Sequence, residues 1–80
     1  MPTVLRIGPY FFRFYSADMN EPEHVHVRRD KAEAKFWPEP MVRLEWQRGF
    51  SRRELSIVRR LTETHRTFLL EKWREYFRGG

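Results

Sequence analysis

At Gly49-Phe50-Ser51 the chain changes its period. Before that point apolar residues recur at every second position, and after it they recur at every third or fourth. A strand turns successive side chains to opposite faces, whereas a helix returns to one face every three to four residues. The two periods therefore prescribe a sheet followed by a helix. That order predicts one α+β domain over residues 1–80, with a four- to five-stranded antiparallel sheet over 3–46 and a long or kinked C-terminal amphipathic helix over 51–78 packed on one sheet face.

Thr3 to Ile7 and Tyr10 to Tyr15 alternate around the turn signal Gly8-Pro9, which reads as a hairpin. A two-residue loop sets Ile7 opposite Tyr10 and Leu5 opposite Phe12. Leu5, Ile7, Phe12 and Phe14 then share the core face, and Val4, Arg6, Phe11, Arg13 and Tyr15 share the other. Ser16 to Pro22 is polar and reads as a loop. A second hairpin joins His24–Arg28 to Lys31–Trp37 through Arg29-Asp30. In that register Val25 and Val27 face Ala34 and Ala32 on the buried side, while His24 faces Lys35 and His26 faces Glu33 on the open side. The connecting pair lacks the glycine that such turns prefer, so this register is the one most able to slip. Pro38 and Pro40 mark an edge or corner, and Met41 to Trp46 reads as a short fifth strand.

Ser51-Arg52-Arg53-Glu54 has the capping-box pattern of a helix start, with Phe50 placed as the staple residue. Leu55, Val58, Leu61, Phe68, Leu69, Trp73 and Tyr76 form an apolar stripe that includes His65, and Gly79-Gly80 ends the run. Arg53, Arg60, Arg74 and Arg78 lie opposite the stripe, with Arg52, Arg59 and Arg66 in a row beside them. A straight helix through residue 77 would be about 40 Å long, while a domain of this size has a radius of gyration of about 12 Å. Either the helix breaks near Thr62 to Thr64, where β-branched residues lower helix propensity, or its last turns project and pack on a partner, a second copy of the chain being one candidate.

With 80 residues and no cysteine, the core has no disulfide to support it and depends on thirteen aromatic side chains. The absence of cysteine, of a signal-peptide pattern and of eighteen consecutive apolar residues predicts a cytoplasmic protein with no membrane span. Charge is divided unevenly: residues 1–40 carry six basic and six acidic side chains, and residues 41–80 carry ten and five. Thirteen of the sixteen cations are arginine, whose planar fork suits phosphate and carboxylate. Nucleic acid and an acidic protein are the candidate partners, and an arginine-rich face that merely solubilises the helix explains the composition equally well.

The open sheet face collects Arg6, Arg13, Tyr15, His24, His26, Arg28, Glu33, Lys35 and Trp37. Three chemistries fit that inventory. Side chains two apart on a strand stand about 7 Å apart, so His24 and His26 can flank a phosphate as acid and base, with Lys35 or Arg28 steadying charge and Tyr15 or Trp37 stacking a base. The same histidines can share a metal ion with Glu33, which the surrounding cations disfavour, so no metal and no cofactor is assigned. Or the face only binds RNA, DNA or protein, together with Arg52, Arg53, Arg59 and Arg60 on the helix. From the residues alone, binding or no special role outranks catalysis.

The opening Met1-Pro2-Thr3-Val4-Leu5-Arg6-Ile7-Gly8-Pro9-Tyr10, the central Glu21-Pro22-Glu23-His24-Val25-His26-Val27, the run Ala34-Lys35-Phe36-Trp37 and the helix entry Gly49-Phe50-Ser51 resemble a bacterial family known as domain of unknown function 4160. The likeness covers nearly the whole chain, with Glu23 standing where many relatives have a second proline. It marks Tyr15, Ser16, Glu21, His24, His26, Lys35 and Trp37 as signature positions. The resemblance implies a short prokaryotic protein often encoded beside a small protein of the domain of unknown function 2442 family, in an arrangement like a toxin-antitoxin operon. The resulting expectation is a toxin-like component acting on RNA, a metal-independent ribonuclease with His24, His26, Lys35 and Tyr15 in catalytic roles and Arg13, Arg28, Trp37, Arg52, Arg53, Arg59 and Arg60 in binding. The alternative is a non-catalytic regulatory module that binds the adjacent gene's protein or nucleic acid.

Overall fold

A computed structural model of the chain describes residues 3–15 and 20–78, without the Arg78 side chain. Ser16 and the expected helix end at Gly79-Gly80 lie outside the described residues. Five strands, β1 (Thr3–Ile7), β2 (Tyr10–Arg13), β3 (Val25–Arg29), β4 (Ala32–Trp37) and β5 (Arg43–Arg48), precede two helices, α1 (Arg52–Thr64) and α2 (Arg66–Arg78). The strands pair antiparallel in chain order as one sheet, and this is the α+β architecture that the change of period prescribes.

The first hairpin has the expected register, with Ile7 opposite Tyr10 and Leu5 opposite Phe12. The second is displaced by two residues: Val25 faces Phe36, His26 faces Lys35 and Val27 faces Ala34. The turn is Asp30-Lys31, not Arg29-Asp30. Asp30 has φ 54, and aspartate enters the left-handed region more readily than arginine because its short side chain can hydrogen-bond locally. An even slip preserves the faces, and it brings Phe36 into the core beside Val25, both fully buried. The fifth strand begins and ends two residues later than expected. Met41 stands outside it and is 64% exposed.

Phe12, Val25, Val27, Ala34 and Phe36 of the sheet, with Phe14 just beyond β2, pack in the core against Val58 and Thr62 of α1 and Leu69 and Trp73 of α2. Gly49 (φ 87) makes the approach to α1 possible, because a Cβ there would lie 3.0 Å from Ala32 Cα. Ser51 Oγ accepts from the Glu54 backbone N–H at 3.1 Å, half of the expected capping box. The reciprocal half is absent. Glu54 instead extends its carboxylate to Tyr10 Oη (3.1 Å) and to the Arg29 guanidinium, whose Nη2 donates to Oε1 at 2.8 Å.

Of the two expectations for the helix, breakage is the one observed. His65 (φ −104, ψ 19) separates α1 from α2, and the longest dimension of the molecule, 35 Å, falls short of an unbroken helix. Thr62 is buried and its Oγ1 donates to Val58 O at 2.8 Å, a back-bond of the type that bends helices. The break also rotates the apolar stripe. Leu69, Leu70 and Trp73 turn inward, Phe68 and Tyr76 are each 38% exposed, and His65 and Leu61 are half-buried. Arg66, expected on the solvent side, donates to Pro38 O at 2.6 Å and so secures the proline corner to α2. Arg74 likewise pairs with Glu23 and Glu39 at 3.6 Å. Among the described residues, no helix is long and apolar enough to cross a membrane.

Candidate functional site

Residues directly opposite one another in antiparallel strands share a face, so the registers build the side of the sheet away from α1 row by row. One row runs Arg6, Phe11, Arg28, Glu33, Arg48 across all five strands. The next runs Arg13, His26, Lys35, Trp46. Trp37, two residues beyond Lys35, and His24, two before His26, extend the face toward α2, and their rings lie 5.5 Å apart. Tyr15 folds over the second row, with its ring 4.3 Å from that of His26.

Glu33 is the hub of this face. Its Oε2 accepts from Tyr15 Oη at 2.9 Å and lies 3.0 Å from His26 Nδ1, and its Oε1 accepts from Arg48 Nη2 at 3.2 Å. A carboxylate only accepts, so this contact assigns the His26 proton to Nδ1. His24 Nδ1 lies 2.9 Å from the Pro22 carbonyl and takes the same tautomer. Burial, followed by the bond to Glu33, raises the Tyr15 phenol above its ordinary pKa. Lys35 Nζ binds Glu21 Oε1 at 2.7 Å and stands 4.8 Å above the Trp37 ring. In the observed register Lys35 stands opposite His26 and not opposite His24, and it is joined to His24 through Glu21, whose Oε1 also lies 3.7 Å from His24 Nδ1.

The sheet face is not open at the histidines. His24 is 1% exposed and His26 5%, and Glu33 is as deeply buried as His26. Their rings meet edge to face at 5.2 Å, and His24 also packs 4.9 Å from Trp73 of α2. The expected gap of about 7 Å is therefore filled by the imidazoles themselves, and no phosphate fits between them. In the described conformation the pair supports the face from below, while the surfaces around it meet solvent.

Those surfaces are rings and cations. Arg6 lies 4.9 Å over Phe11, and Arg48 lies 5.7 Å from the Trp46 ring. Phe11, Tyr15 and Trp37 are half-exposed and Trp46 is exposed. Phe11, Arg13, Arg28 and Asp30 line a depression of about 290 Å³ at one end of the face. Trp37 and Arg43, with Pro22, Glu23 and Glu39, line another of about 470 Å³ at the other end. Arg13 also donates to Thr3 Oγ1 at 3.3 Å. No group of three or more metal-ligating side chains occurs among the described residues.

The residues singled out in the sequence thus divide between two surfaces. Arg13, Tyr15, His24, His26, Arg28, Lys35 and Trp37 come together on the sheet, whereas Arg52, Arg53, Arg59 and Arg60 are exposed on α1, beyond the core on the other side. Sequence reasoning missed Trp46 and Arg48. Their place opposite Lys35 and Glu33 follows from a β4–β5 register with a bulge between Lys35 and Phe36, for which the alternation carries no signal. It placed Glu33 beside His26, as observed, but not as a buried hub that also binds Tyr15 and Arg48, since a carboxylate on an outer sheet face ordinarily points to water.

A family model described as Domain of unknown function (DUF4160) matches residues 10–74. No curated protein and no solved structure gives a significant match.

Proposed function

The chain belongs to the Domain of unknown function (DUF4160) family, and from that membership and the sheet face we propose that it is a non-catalytic regulatory module binding single-stranded RNA across the strands. The observation that carries this reading is the interleaving of accessible rings, Phe11, Trp37 and Trp46, with Arg6, Arg28, Lys35 and Arg48 on one surface. Rings on a sheet stack unpaired bases and cations between them track the phosphates. The burial of His24 and His26 favours binding over the acid–base ribonuclease, because a general acid and base must reach the proton they move. In the bacterial two-gene, toxin-antitoxin-like arrangement that the resemblance implies, the module would act in the cytoplasm together with the adjacent gene's small protein.

The test is fluorescence anisotropy with a labelled twelve-residue oligouridine RNA. Stacking is worth about 1–3 kcal/mol per base, so Trp37→Ala should weaken binding about 5- to 150-fold, while Trp37→Phe keeps most of it. Arg6→Glu with Arg28→Glu should flatten the dependence of affinity on salt. Binding indifferent to all of these removes the sheet face as the RNA surface. Cleavage of the RNA with a bell-shaped pH profile, lost in His24→Ala and His26→Ala variants that remain folded, would restore the ribonuclease reading instead.

A further inference from the structure

The outer side of α1 is built differently from the sheet face. Arg53 and Arg60 form one row along the helix and Arg52 and Arg59 a second, each pair seven residues and therefore about 10 Å apart. All four are exposed, and none has a hydrogen bond or ion pair among the described residues. Ser56 lies between the rows. Ile57, 44% exposed, and Leu61 flank the first row, where they line with the arginines a shallow depression of about 630 Å³. Beside the second row, Leu44 of the edge strand and Leu55 line a cleft of about 280 Å³.

Two features identify what would cover this surface. The first is charge. Of the two carboxylates on α1, Glu54 is bound by Arg29 and Tyr10 on the core side, and Glu63, exposed one turn beyond Arg59 and Arg60, is a single charge against four arginines, so the rows keep a positive excess. A polyanion or an acidic protein satisfies that excess. The second is the apolar component. Ile57 and Leu61 offer aliphatic surface beside the arginines, and no aromatic ring lines the larger depression, so it has nothing on which a base can stack. Phosphate would leave the aliphatic strip uncovered. A protein helix carrying carboxylates at seven-residue intervals and apolar side chains alongside would engage both, with arginine–carboxylate pairs at the rim around an aliphatic centre.

We propose that α1 is a docking surface for an acidic amphipathic helix of a partner protein, separate from the sheet face and independent of whether that face binds RNA. Bidentate arginine–carboxylate pairing provides selectivity for acidic partners, and Ile57 provides the centre from which water is excluded.

The test is selection of random 16-residue peptides displayed on phage against the folded, full-length chain, followed by titration of the most enriched peptide. Enriched sequences should carry Asp or Glu at helical spacing together with Leu, Ile or Phe. Affinity of that peptide should fall at least 10-fold with Arg53→Glu plus Arg60→Glu, and several-fold with Ile57→Ser. Trp37→Ala, on the sheet face, should leave it unchanged. All the altered α1 residues are surface residues, and an unchanged thermal melt certifies each variant. Selection that yields no acidic amphipathic class, or peptides that bind the α1 variants as tightly as the parent, overturns the proposal. So does loss of oligouridine binding in the Arg53→Glu plus Arg60→Glu chain together with peptide binding left intact, because α1 would then belong to nucleic acid. Failure of oligouridine to bind the parent chain, with peptide binding as described, refutes the sheet-face reading alone.

Discussion

Replacing His26 by alanine should unfold a substantial fraction of this protein's stability, whatever His26 does in function. The imidazole is 5% exposed, its Nδ1 lies 3.0 Å from Glu33 Oε2, and its ring meets those of Tyr15 at 4.3 Å and His24 at 5.2 Å. Loss of a hydrogen bond to a charged group costs about 1.5–3 kcal/mol, and the cavity left by the ring adds roughly 1–2 kcal/mol by comparison with core truncations. Glu33 retains Tyr15 and Arg48 as donors, so it is not left without partners and no further penalty is added to a sum of about 2.5–5 kcal/mol. Against a total of roughly 5–10 kcal/mol, this lowers Tm by about 10–40 °C for a domain of this length. His26→Asn, whose amide N–H can occupy the place of Nδ1–H, should recover about half of that loss. Differential scanning calorimetry of parent, His26→Ala and His26→Asn decides the matter. A His26→Ala chain melting within about 3 °C of the parent would show that the buried hub contributes little and that the site geometry has been misread. The result also governs functional work, since activity lost in His26→Ala counts as chemical evidence only at temperatures where the variant is folded.

Arg29, and after it Tyr10, holds the Glu54 carboxyl below the usual glutamate range. A pKa lowered by folding contributes stability that is present above the unfolded value, about 4.3, and is lost as pH falls through the folded one. Urea midpoints should therefore decline below about pH 4.3 more steeply in the parent than in Glu54→Gln, and parallel curves would refute the coupling. Gly49→Ala places a Cβ 3.0 Å from Ala32 Cα and 3.1 Å from its Cβ at φ 87, whereas Gly8→Ala meets nothing within 4 Å at φ 56. The first should cost about 1–3 kcal/mol and the second less, and thermal melts showing the opposite order would contradict the assigned approach of Gly49 to β4.

Local rules sufficed for the element types. The change of period at Gly49 separates sheet from helix, Gly8-Pro9 sets the first hairpin's register, and Ser51 caps α1, each through interactions that span only a few residues. The same alternation assigned Arg13, Tyr15, His26, Arg28 and Lys35 to one face, an assignment that survives an even slip in register. Four things needed the assembled chain. The second hairpin turned on Asp30 because that register buries Phe36 against Val25, and pattern alone cannot compare the two registers when both keep the same faces. Of the two outcomes open for the helix, the break at His65 was decided where packing on a short sheet outweighed continuation of the backbone ladder, and that rotation exposed Phe68 and Tyr76. Glu54 followed a pairing with Arg29, 25 residues away, over the local box. Above all, burial of the histidines was invisible to periodicity, which separates two faces of a sheet but carries no information about what lies over each. Tyr15, Glu33, Trp46 and α2's Trp73 enclose them from four segments of the chain, and only the tertiary structure brings those segments to one place.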